Sequence, residues 1–131
     1  MRLASAVLLL VGLVWAAAGC QSTDVRGPEG QQFAATTPMW LAISRGETKM
    51  LDVQIDRSKM TGTVTVAISQ LPRGVSADQS SQTVQDGQSK ASFILKADMS
   101  AGLVSNQAVR IVTSGPKGMQ STQYLKLTVK D

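Results

Sequence analysis

Few residues in this chain of 131 could carry nucleophilic catalysis. Histidine is absent and the one cysteine is Cys20, which excludes the usual His-based hydrolase sites, zinc sites built from Cys and His, and an internal disulfide. A Ser–Lys pair remains, at Ser58-Lys59 and at Ser89-Lys90. Neighbouring residues of a strand point to opposite faces, so neither pair is arranged for proton transfer. We therefore expect a protein that is not an enzyme.

Aspartates and methionines are the other side chains that could hold a ligand. Asp52 and Asp56 could pair for glycoside hydrolysis, but they alternate with Gln54 opposite an apolar stripe, which is typical of a solvated sheet face. The chain has no D-x-D-x-D-G calcium loop, so the other aspartates are expected in turns: Asp78, Asp86 and Asp98. The methionines after residue 20 lack Met-x-Met spacing and are expected in the core, except that Met50 falls on the polar side of its strand: Met39, Met50, Met60, Met99 and Met119. No cofactor or metal is expected.

Cys20 ends a stretch that has the layout of a secretory signal. Met1-Arg2 gives a positive start, the residues from Leu3 to Val14 are largely apolar, and small residues lead up to Gly19. The apolar stretch is shorter than the roughly 20 residues that a membrane-spanning helix needs. We therefore expect residues 1–19 to be a signal peptide that is cleaved.

The residues at the expected cleavage point, Ala17-Ala18-Gly19-Cys20, resemble the lipobox of bacterial lipoproteins, with Ala17 where that family prefers Leu. The resemblance implies cleavage between Gly19 and Cys20, diacylglycerol on the Cys20 thiol, and an acyl chain such as palmitate on the freed amine. Two or three acyl chains hold a protein on a bilayer durably. Gln21, a residue other than Asp, resembles the outer-membrane default of bacteria with two membranes. The resemblance thus implies a lipid-anchored envelope protein, on the outer membrane facing the periplasm or the cell surface in such a bacterium.

Residues 20–38 differ in composition from the leader. They are rich in Gln, Ser, Thr, Gly, Pro and Ala, and Val25 and Phe33 are the only large apolar residues among them. So little apolar surface cannot offset the entropy lost on folding, which predicts a flexible tether that would span about 20–25 Å as a coil. A segment that folds on contact with a partner is the alternative.

From residue 39 to residue 131, apolar side chains alternate with polar ones, which predicts strands with one buried face. Turn residues containing Gly or Pro separate the apolar runs. Seven strands over this length predict an all-β fold, an antiparallel β-sandwich, with Phe93 and Leu95 inward. The predicted strands are Trp40–Ile43, Leu51–Asp56, Val64–Ile68, Ser81–Val84, Ala91–Lys96, Ala108–Thr113 and Leu125–Lys130.

Four motifs of this domain resemble bacterial immunoglobulin-like modules. They are Arg45-Gly46-Glu47, Val53-Gln54-Ile55-Asp56-Arg57, Thr61-Gly62-Thr63-Val64-Thr65-Val66 and Leu71-Pro72-Arg73-Gly74-Val75. The resemblance covers roughly residues 40–131 and implies an immunoglobulin-like sandwich of the kind that serves as a spacer or adhesion module. It implies no particular ligand, because one such fold hosts many functions.

The charge of the chain gives little evidence of a partner. The formal net charge of +4 becomes +3 when Arg2 leaves with the leader, and so mild an excess excludes a nucleic-acid footprint. Four cations could meet lipid headgroups or an acidic polymer, but interleaved acids favour ordinary solubilising charges: Arg45, Lys49, Arg57 and Lys59. Trp40 could stack on a sugar, although the core is its expected place.

These observations predict a membrane-anchored, non-catalytic binding or structural module of the cell envelope. It would attach to the lipid bilayer through acylated Cys20 and contact an envelope protein or cell-wall polymer through a polar sheet face or a free edge strand. The alternative is an envelope carrier of a metal ion or small molecule that uses Met or Asp side chains.

Overall fold

The computed structural model describes residues 19–131, and apart from Gly19 the predicted signal peptide, residues 1–19, lies outside the described residues. The regular secondary structure of these residues is β, apart from one short 3-10 turn at Pro116–Gly118. They contain no helix long and apolar enough to cross a membrane. Its ten strands are β1 (Cys20–Arg26), β2 (Gln32–Pro38), β3 (Trp40–Ser44), β4 (Thr48–Ser58), β5 (Val64–Ser69), β6 (Val75–Ala77), β7 (Ser81–Val84), β8 (Lys90–Ala97), β9 (Val104–Ser114) and β10 (Gln120–Lys130).

The strands form two packed sheets of five. The first sheet has the order β1-β2-β4-β8-β6, and the second sheet has the order β3-β10-β9-β5-β7. Paired strands are antiparallel except β3, which runs parallel to β10. The predicted all-β sandwich is confirmed, and each of the seven predicted strands lies within an observed one. The expected number of about seven is too low, because β1, β2 and β6 were not predicted.

The prediction of a flexible tether over residues 20–38 is wrong, because these residues form β1 and β2. β2 pairs with β4, and its alternate residues Phe33, Ala35 and Thr37 are buried. β1 pairs with β2 along its whole length. The physical reason is that one fully buried aromatic ring and two small side chains suffice for a strand whose backbone groups pair with a neighbouring strand.

The core between the sheets is built from alternating aliphatic side chains and two phenylalanines. Leu51, Val53 and Ile55 of β4 face inward and are almost completely buried, as the alternation predicts. Phe93 and Leu95 of β8 are fully buried, which confirms their expected orientation. The buried face of β9 consists of Val109, Ile111 and Thr113.

The chain passes from the first sheet to the second at Pro38 and Met39. The Met39 amide donates to the Gly19 carbonyl at 2.7 Å, and the Lys126 amide donates to the Met39 carbonyl at 2.9 Å. β3 then runs beside β10, with Trp40 opposite Lys126. This crossover brings the start of β1, in the first sheet, next to β3 and β10 of the second.

Candidate functional site

Cys20 is the first residue of β1, at the edge of the first sheet. Its side chain is exposed and its thiol is free. The residue opposite it is Pro38, whose Cα lies about 5 Å away in such a pair. The next residue, Gln21, is half-buried, and its Nε2 donates to the backbone carbonyl of Tyr124 at 2.7 Å. The predicted lipidation residue is therefore accessible and lies directly on the folded domain.

Trp40 lies on the surface and not in the core, so its expected position is wrong. It begins β3, where Ile43 is fully buried and Leu41 packs against the core. The alternation of a strand then turns the Trp40 side chain to the outer face of the second sheet. The indole is 53% exposed, an unusual exposure for the largest side chain in the sandwich.

A second exposed aromatic side chain shares this face with Trp40. Tyr124 is 51% exposed, and the strand alternation of β10 turns it, like Lys126, away from buried Leu125. Lys126 is paired with Trp40, while Arg110 of β9 is paired with Tyr124. Met39, exposed at the crossover, adjoins Trp40. We call these five residues, Met39, Trp40, Arg110, Tyr124 and Lys126, the aromatic–basic surface.

The strands of the second sheet contain no acidic residue. Their only charged residues are Arg110, Lys126 and Lys130. The nearest acid beyond β10 along the chain is Asp131, five residues past Lys126 and thus about 17 Å further along the strand direction. The strands of the first sheet, by contrast, carry acids on β1 and β4: Asp24, Asp52 and Asp56. The aromatic–basic surface is therefore positive without a nearby strand carboxylate.

The candidate aspartates support local structure and are spread over the domain. Asp52 and Asp56 are exposed on the outer face of the first sheet, as predicted, and Asp52 accepts a hydrogen bond from the Ser92 hydroxyl at 2.7 Å. Asp78 accepts from the Ile94 amide and Asp86 from the Gly62 amide. The Asp98 carbonyl closes a turn by accepting from Ala101. Residues 19–131 contain no group of three acidic, Cys or His side chains able to hold a metal ion.

The methionines divide between the core and the surface. Met119 is buried and Met60 packs against the core, as expected. The expectation of a core position is wrong for Met39 and Met99, which are exposed. Met50 is exposed on the polar side of β4, as predicted, and is paired with exposed Ile94 of β8.

The four cations considered as a patch are spread out, and three of them, Arg45, Lys49 and Arg57, donate to backbone carbonyls. Arg57 donates to the backbone carbonyls of the β7–β8 turn, and Arg45 donates to the Ala101 carbonyl. Lys49 donates to the Ala42 carbonyl at 2.6 Å. Lys49 and Arg57 are eight residues apart on β4, or about 26 Å. They do not form one binding surface.

The two Ser–Lys pairs lie at the ends of two different strands. Ser58 and Lys59 stand at the exposed end of β4, and Ser89 and Lys90 at the start of β8. The Ser89 carbonyl accepts a hydrogen bond from the Ile55 amide, and the Lys90 ammonium lies 3.9 Å from an Asp52 carboxylate oxygen. Neither lysine contacts its neighbouring hydroxyl through a hydrogen bond in the described chain.

The described residues also line a shallow depression of about 210 Å³ on the outer face of the first sheet, among Thr48, Ser76, Ala77, Asp78, Ile94 and Lys96. One carboxylate oxygen of Asp78 there already accepts a hydrogen bond from the Ile94 amide.

No protein-family model and no curated protein matches this chain. The function proposed below is based on two features of the structure, the accessible Cys20 and the adjoining aromatic–basic surface.

Proposed function

We propose that the chain is a lipid-anchored, non-catalytic binding or structural module of the bacterial cell envelope. The observation that carries the proposal is the sequence Ala17-Ala18-Gly19-Cys20 at the end of an apolar leader with a positive start. Its lone cysteine stands where a bacterial lipoprotein is cleaved and acylated. The absence of histidine from the whole chain supports a role other than catalysis.

The position of Cys20 in the fold supports this proposal. Lipid attachment needs a thiol and an amine that are accessible and outside the core, and the Cys20 side chain is exposed at the first residue of β1. Cleavage before Cys20 removes the Gly19 carbonyl that accepts the Met39 amide. Met39 is exposed, so water can replace that carbonyl without leaving a buried donor unpaired.

The short distance between anchor and domain sets where the module acts. A coil over residues 20–38 would have allowed about 20–25 Å of freedom above the bilayer. Because β1 begins at Cys20 itself, acyl chains there hold the sandwich at the lipid surface. The partner in this proposal is an envelope protein or cell-wall polymer that comes close to the membrane, as the likeness to immunoglobulin-like adhesion modules also suggests.

The test replaces the acylated thiol. In a bacterial host grown with labelled palmitate, the wild type is expected to incorporate the label and the Cys20→Ser chain is not, because a hydroxyl does not accept diacylglycerol in place of a thiol. Labelling is the measured quantity because an unprocessed chain keeps its apolar leader and enters a detergent phase for that reason alone.

A matched control moves the thiol by two residues. The double variant Cys20→Ser, Ser22→Cys keeps one exposed cysteine on the same side of β1. It is expected to behave like Cys20→Ser, because processing depends on the lipobox and not on a thiol alone. Equal incorporation of labelled palmitate into the wild type and Cys20→Ser would contradict the proposal.

A further inference from the structure

The aromatic–basic surface has a composition that suits one kind of contact. Two half-exposed aromatic rings, Trp40 and Tyr124, stand beside two cations, Arg110 and Lys126, on the outer face of the second sheet. Trp and Tyr rings favour the boundary between lipid headgroups and acyl chains, where one end of the ring is apolar and the other is wet. Lys and Arg near the same boundary attract anionic headgroups.

The fold places this surface beside the residue proposed to carry the lipid. Cys20 is opposite Pro38, and Trp40 follows two residues later, so their Cα atoms lie within roughly 12 Å. Gln21 holds the start of β1 against Tyr124 through its side-chain amide. β1 and β3 are the edge strands on this side of the sandwich. The alternation of β1 places the Cys20 side chain with Ser22 on the outer face of the first sheet, but Cys20 is the first residue of this edge strand, so its acyl chains leave the domain at the corner that Trp40 adjoins.

The charge distribution distinguishes this face from the opposite one. The strands of the second sheet carry three cations and no acid, whereas the exposed strand positions of the first sheet carry three acids and three cations: Asp24, Asp52, Asp56, Arg26, Lys90 and Lys96. A negatively charged membrane therefore attracts the second sheet without repulsion from strand carboxylates. Each cation at such a membrane favours binding by about fivefold.

We propose that the aromatic–basic surface rests on an anionic lipid bilayer, with the rings of Trp40 and Tyr124 at headgroup level and Arg110 and Lys126 against anionic lipid. This inference rests on the proposed lipid anchor at Cys20. It adds an orientation, with the second sheet toward the membrane and the first sheet toward the envelope. The outer face of the first sheet, with Met50 and Ile94, is then the face left for a partner.

The test uses the fluorescence of Trp40. The chain has two tryptophans, and Trp15 leaves with the leader, so Trp40 is the only tryptophan of a chain that starts at Cys20. The acylated protein is purified from membranes and reconstituted into vesicles of phosphatidylcholine alone or mixed with phosphatidylglycerol, with or without brominated acyl chains. We expect a blue-shifted Trp40 emission that brominated lipid quenches, and stronger quenching in the anionic vesicles.

Two variants serve as controls. In Trp40→Phe, Met50→Trp, the only tryptophan stands on the outer face of the first sheet, at a position 59% exposed, and we expect no quenching. In Arg110→Gln, Lys126→Gln, quenching in anionic vesicles should fall to its value in phosphatidylcholine alone. Each lost cation lowers the equilibrium constant for contact between this surface and the bilayer by about fivefold.

Intact mass, measured first on the same sample, separates the two proposals. An unmodified chain would overturn the lipid anchor and, with it, the orientation. An acylated chain whose Trp40 emission is the same with and without brominated lipid would overturn the orientation alone, and would mean that the aromatic–basic surface faces away from the bilayer. Equal quenching from Trp40 and from the tryptophan at position 50 would overturn it as well.

Discussion

Phe33 shows how a single residue joins the N-terminal strands to the sandwich. Its ring is completely buried, and it lies so close to Gly115 that a Cβ there would approach a ring carbon to 3.0 Å. Glycine at position 115 therefore leaves the room that the ring occupies. The contribution of β2 to the core depends mainly on this side chain, because Ala35 and Thr37 are small.

Replacing Phe33 with alanine is expected to lower the free energy of unfolding by about 3–5 kcal/mol, through lost burial and the cavity left behind. Denaturant unfolding of the acylated protein in detergent micelles measures the change. Met99→Ala is the control, because the Met99 side chain is largely exposed and should cost no more than about 0.5 kcal/mol. Equal stability of the two variants would mean that β2 is not part of the cooperative core.

Trp40 and Tyr124 share a surface that neither residue indicates by itself. They are far apart in sequence, and only the parallel pairing of β3 with β10 brings them to one face. A large aromatic residue at the start of an apolar run favours a core position, yet the alternation that buries Ile43 turns Trp40 outward. The aromatic–basic surface therefore could not be predicted from composition or spacing. Cys20, in contrast, is a candidate from its position in the sequence alone.

At the scale of strands, alternation predicted the elements in which it is strong. β4, β5, β8 and β10 each contain at least two large aliphatic or aromatic residues at alternate positions, and these residues are buried as the alternation predicts. β1 and β2 escaped prediction because their inward residues are mostly small or polar. A strand at a sheet edge is also stabilised by backbone hydrogen bonds to its neighbour, and the hydrophobicity of its side chains gives no information about these bonds.

Hydrogen exchange distinguishes strands from a tether over residues 20–38. Amides of β2, which has a partner on both sides, are expected to exchange slowly, and amides of β1, which is an edge strand, at an intermediate rate. Mass spectrometry of peptides from the acylated protein measures these rates. The exposed residues Met99 and Ser100 of the loop between β8 and β9 serve as the fast-exchanging reference. If the amides of residues 20–38 exchange as fast as those of that loop, these residues form a flexible tether and not strands.

At the scale of the whole molecule, the two outer faces of the sandwich differ in charge and in position relative to Cys20. The second sheet carries exposed aromatic rings and cations beside the proposed anchor, and the first sheet carries the strand acids. In the arrangement that we propose, no tether separates anchor and domain, and this asymmetry decides which face the bilayer meets. A module held in this way presents the outer face of the first sheet to the envelope.

The intact mass of the protein purified from bacterial membranes tests the central claim most directly. We expect a chain that begins at Cys20 and carries diacylglycerol on its thiol together with an acyl chain on its amine, with fragments locating both groups on Cys20. A mature chain of unmodified mass, or one that still holds residues 1–19, would contradict it.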